Sequence, residues 1–95
     1  MTLSEACNVL RIDEGYNDEL VNSLIAAMPD YIELSTGMLT EQQATEPLVR
    51  TLEKFLLTLW YFGDRADEVR LNRIISNLLT ALSCKVNIVE EMENE

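Results

Sequence analysis

This chain has no histidine, so it lacks both the commonest general base and the commonest metal ligand. Its candidate nucleophiles are Cys7 and Cys84, and neither has an imidazole in the chain to take its proton. Two cysteines are too few for a disulfide framework. Each falls in an apolar-periodic stretch, so both are expected as buried, reduced thiols. Carboxylates are abundant: seventeen Asp and Glu against seven Lys and Arg give a net charge of −10. The adjacent pairs Asp13-Glu14 and Asp18-Glu19 fall at expected turns and first helical turns. Acids there cap helices and face the positive end of the helix dipole. The run Asp13-Glu14-Gly15-Tyr16-Asn17-Asp18 lacks the alternating oxygen ligands of a calcium loop. The expectation is a protein with no catalytic, cofactor-binding or metal-binding residues.

The remaining charged cluster is basic. Arg65, Arg70 and Arg73 lie close together, interleaved with Asp64, Asp67 and Glu68. That interleaving leaves no basic face for a duplex, and the arginines read instead as partners for carboxylates on a neighbouring helix or subunit. Residues 1–46 carry nine acids and one base, Arg11, which is −8; residues 47–85 carry six bases and four acids, which is +2; residues 86–95 add four acids. A surface this acidic repels free nucleic acid in general. Its asymmetry suits subunits that meet front to back, Asp13 and Asp18 among the acids on one side and Arg65, Arg70 and Arg73 on the other.

These residues must be carried by helices. Thr2-Leu3-Ser4-Glu5 has the form of a capping box, and Leu3, Ala6, Val9 and Leu10 share one face of a short first helix. Gly15 through Asp18 reads as a turn, and Asn17 or Asp18 caps a second helix that stops at Gly37. Leu20, Leu24, Ala27, Met28 and Tyr31 form its stripe, widened by Val21, Ile25 and Ile32. Pro29 inside it predicts a kink or a break. Residues 38–46 read as a polar connector. Thr45-Glu46-Pro47 then opens a third helix, the most apolar segment, ending at Gly63. Leu57 and Tyr61 fall outside its main stripe. Asp64 to about Leu82 reads as a fourth helix with Val69, Leu71, Ile74, Ile75, Leu78, Leu79 and Leu82 on its core face. Ile88 and Val89 suit either more helix or a short extended piece.

The fold class is therefore all-α: one small bundle of about four helices over residues 1–89, the third helix central, with an acidic tail at 90–95. No apolar run reaches the roughly 18 residues that span a membrane. The acidic N-terminus, lacking a basic region, gives no sign of a signal peptide, so the cytosol of the producing cell is the expected starting compartment. A core this small leaves self-association as a natural source of added stability.

The order of these features resembles a known family. Leu10-Arg11-Ile12-Asp13, Asp18, Leu24-Ile25, Ala27, Tyr31-Ile32 and Thr36-Gly37 look like the N-terminal pattern of phage head-to-tail connector proteins, which are also grouped with DNA packaging and head completion. Pro47, Val49, Leu56-Leu57 and Trp60-Tyr61 resemble that family's long apolar helix ending in Trp-Tyr. The likeness covers about residues 2–65. It departs in the stretch from Asp64 to Leu82, where the family's Pro- or Gly-containing loop is replaced by continuous helical pattern, and in Pro29.

The resemblance implies a structural virion protein, made in the bacterial host cytoplasm and placed at the head-tail junction. It implies a homo-oligomeric ring of about a dozen copies beneath the portal protein, monomeric when free in some members. The ring would offer a surface to a tail-completion protein, and genome DNA would pass through it without sequence-specific binding. The residues expected at the subunit or partner interface are Leu57, Tyr61, Arg65, Arg70, Arg73, Asp13 and Asp18. The competing reading is a small regulatory adaptor that holds a partner helix in a groove beside the third helix.

Overall fold

The computed structural model describes the backbone of residues 1–93 and the side chains of residues 1–88. Among the described residues the protein is all-helical. It has five α-helices: α1 (Leu3–Leu10), α2 (Asp18–Thr36), α3 (Thr40–Gln43), α4 (Pro47–Phe62) and α5 (Glu68–Glu93). A single 3-10 turn, Gly63–Arg65, joins the last two.

The helix ends follow from local chemistry. The Thr2 hydroxyl accepts the Glu5 amide at 3.2 Å and starts α1. Pro47 occupies the first turn of α4, and the Glu46 carboxylate accepts the Leu48 amide at 3.3 Å. Gly37 ends α2 in the left-handed region, with φ of 80°, and its amide bonds the Glu33 carbonyl. The Thr36 hydroxyl, donating to Ile32 O and accepting from the Met38 amide, secures the same corner.

Helix α4 packs against α1, α2 and α5. Val49, Leu52, Leu56 and Leu57 are its buried residues, and they join Val21, Met28 and Ile32 of α2 and Leu71, Ile75, Leu82 and Val86 of α5 in one core. The α4–α5 pair is antiparallel. Lys85 Nζ, far along α5, lies 2.9 and 3.0 Å from the two carboxylate oxygens of Glu46 at the start of α4.

Several expectations change. Pro29 does not divide α2, which runs as one helix to Thr36. The stretch 38–46 is more than a polar connector, because it contains α3 and buries Met38 and Gln43. Gln43 Nε2 donates at 3.0 Å to both Pro29 O and Met38 O, tying this stretch beneath α2. The last helix starts at Glu68, because Gly63 and the 3-10 turn take up residues 63–65. It continues through Ile88 to Glu93, so the acids at 90–93 are helical; Asn94 and Glu95 lie outside the described residues.

Candidate interaction surface

The residues expected at an interface part company. Leu57 is fully buried, with 0% exposure, and not exterior. The reason lies in the row Glu53, Leu57, Tyr61, spaced four apart on α4. Glu53 faces the Met1 amine at 3.9 Å, and the Tyr61 hydroxyl accepts from Asn17 Nδ2 at 2.7 Å. That row therefore looks at α1 and the turn into α2, which cover Leu57. Tyr61 is half-buried and edge-on to Phe62, with ring centroids 5.1 Å apart. Asp18 is also half-buried; its carboxylate accepts the Gly15 amide at 2.7 Å and fixes the α1–α2 turn. Asp13 is exposed in that turn.

Arg65, Arg70 and Arg73 are all exposed. Among the described residues their one carboxylate contact is Arg70 Nε to Asp67 at 3.9 Å, within the same turn and open to solvent. Among the described residues, no other element of the subunit supplies them with an acid.

The second helix holds a surface that its sequence pattern did not isolate. Its buried residues are Val21, Met28, Ile32 and Thr36. Leu20 (48% exposed), Tyr31 (36%) and Leu34 (88%) face outward, and Ala27 is exposed with them. At about 100° per residue these four form a strip some 120° around the helix from the core residues. Beyond the strip, on the side away from the core, lie Glu19 and Asp30, with the half-buried Glu33 further round the helix. Trp60 of α4 closes the inner edge of the strip, its ring 5.3 Å from that of Tyr31 in an edge-on pair. Patterning placed Leu20, Ala27 and Tyr31 on the core face, but the helix is turned so that the Val21–Met28–Ile32 row points inward instead. Val69, also expected in the core, is 74% exposed on the first turn of α5.

A polar groove of about 460 Å³ lies between the start of α1, the end of α3 and α4. Glu5, Glu53, Arg50 and Lys54 line it. Burial raises the Glu53 carboxyl above its usual value, with Glu5 adding to the rise and the Met1 amine and Arg50 opposing it. No cysteine lines this groove. Cys7 lies in the core side of α1, where burial, then the carboxylates of Asp18, Glu14 and Asp13, push its thiol up. Cys84, expected to be buried, is exposed on α5. Among the described residues no three His, Cys, Asp or Glu side chains gather as metal ligands, and no helix is long and apolar enough to cross a membrane.

No protein-family model, no curated protein and no solved structure matches the chain.

Proposed function

We propose that this chain is a structural subunit that assembles with copies of itself into a ring at the head-to-tail junction of a tailed phage. The observation that carries the reading is the exposed Leu20–Ala27–Tyr31–Leu34 strip, bordered by carboxylates, in a subunit where, among the described residues, Arg65, Arg70 and Arg73 meet no acid on another element. A strip of that kind on a small monomer calls for a covering partner. The resemblance over residues 2–65 says what the assembly is for.

In this reading the subunit is a helical bundle with α4 as its central post. The ring sits under the portal protein, receives a tail-completion protein on its far side, and lets the genome pass. An acidic channel wall suits that task, because a polyanion slides best along a surface that does not hold it.

Negative-stain electron microscopy of the purified protein at rising concentration, alone and with the portal of the same phage, tests this. Closed hollow rings, free or seated on the portal, are the expected result. Particles that stay single in both samples refute the reading.

A further inference from the structure

The geometry points to the contact that joins one copy to the next: the outward strip of α2 lies along the outward face of α5 of a second copy. This rests on the self-assembly reading above and adds which two faces meet.

Charge is the first argument. Helix α2 contains Asp18, Glu19, Asp30 and Glu33 and no base at all. Helix α5 shows the reverse: between Glu68 and Glu90 it contains no acid, but carries Arg70, Arg73 and Lys85. In a chain with ten more acids than bases, that stretch of 21 residues lets a helix whose charges are all acidic approach without like-charge repulsion.

Shape and polarity agree. The buried residues of α5 are Leu71, Ile75, Leu82 and Val86. On the opposite side Val69, Arg73, Ser76, Thr80 and Asn87 are exposed and fall on one line. Leu20 to Leu34 spans about 21 Å of helix, and Val69 to Asn87 about 27 Å, so the α5 line is long enough to cover the whole α2 strip. Small side chains at Ser76 and Thr80 leave room for Tyr31 and Leu34. The Thr80 hydroxyl already donates to Ser76 O at 2.9 Å, so covering it strands no donor.

The pairing is between unlike faces. Two α2 strips laid together would bring two carboxylate rows into one interface, which like-charge repulsion disfavours. Contact between different faces leaves the pair with one free face of each kind, and repetition gives a ring or a filament.

Paired charge reversals test the assignment, read by sedimentation velocity, with circular dichroism as the check on folding. All four positions are exposed or near the surface, so both variants should keep wild-type helicity. Asp30→Lys/Glu33→Lys and Arg70→Glu/Arg73→Glu should each weaken association about tenfold or more. An equimolar mixture of the two should recover it, because each reversed face then meets an opposite charge on the other variant. If Arg70→Glu/Arg73→Glu assembles like the wild type while Asp30→Lys/Glu33→Lys does not, α5 is not the docking face and the inference fails. If the wild type assembles and neither variant is impaired, both faces are wrong while self-assembly stands. A wild type that never assembles removes the underlying reading itself.

Discussion

Leu57 and Leu34 are both leucines on helices of this subunit, and their surroundings make them opposites. Leu57 is enclosed by α1, the α1–α2 turn and the core, whereas Leu34 is almost wholly in solvent. Truncating Leu57 to alanine should therefore act on folding. The expected cost is about 2–5 kcal/mol, the range for deleting a buried leucine whose site cannot fully collapse. A urea denaturation curve on monomeric protein gives the value, and a loss below about 1 kcal/mol would show that Leu57 is not enclosed as described. Sequence pattern alone put Leu57 outside because a single stripe was drawn on α4, whereas three helices contact it. The same limit applies to Cys84. Its apolar neighbours in sequence suggested burial, but on a helix packed along one side those neighbours turn inward and the cysteine turns out.

At the level of elements, the ends of α1, α2 and α4 were legible, whereas α3, the bounds of α5 and the rotations were not. Thr2, Glu46-Pro47 and Gly37 mark helix ends through contacts spanning two to four residues, so short stretches of sequence contain the whole cause. Which face of α2 is buried depends instead on where α4 and α5 lie. Both the Leu20–Tyr31 row and the Val21–Ile32 row are apolar, and only packing chooses between them. Pro29 suggested a break, but α2 runs through it as one helix, and the Pro29 carbonyl accepts from Gln43, fourteen residues away.

The Glu46–Lys85 contact clamps the open end of the α4–α5 hairpin and gives a pH test. The hydrogen bond from Lys85 is the largest cause holding the Glu46 carboxyl below its usual 4.5, helped by the Leu48 amide. A lowered folded-state value means stability that is complete above about pH 4.5 and is lost as pH falls through the lowered value. Glu53 has the opposite sign. Its folded value lies above 4.5, so its charge costs stability once the pH has risen through that window. Glu46→Gln should therefore lower Tm at pH 7, with a loss of stability of no more than about 1 kcal/mol because the Lys85 end of the pair is open to solvent, and the difference should close in acid. Glu53→Gln should raise Tm at pH 7, with its difference also closing in acid. Thermal melts at pH 7 and pH 3 give all four values; a Glu46→Gln protein as stable as wild type at pH 7 would show that the clamp contributes nothing.

The whole molecule is elongated, 51 × 27 × 18 Å, with a radius of gyration of 14.4 Å. A compact chain of this length would have about 12 Å. Elongation follows from α5, whose 26 residues extend well past the bundle's other helices. It also leaves the flanks of α2 and α5 open along their lengths. One helix-wide contact buries less than the roughly 800 Å² per partner of a typical stable complex. In the proposed ring a single junction would then be weak, and closure, which gives every copy two junctions, would make the assembly persist. The charge segregation visible in the sequence thus acquires a geometry: α2, whose charges are all acidic, on one flank, and on another the stretch of α5 between Glu68 and Glu90, which holds no acid.

The central claim is that this subunit associates through charged, strip-like faces. Sedimentation velocity of the wild-type chain over a hundredfold concentration range, at low salt and at 1 M, measures it most directly. Growth from monomer to a large closed species at low salt, shifted to higher concentration at 1 M where screening acts within about 3 Å, is the predicted result. One unchanging monomer boundary across the whole range would contradict it.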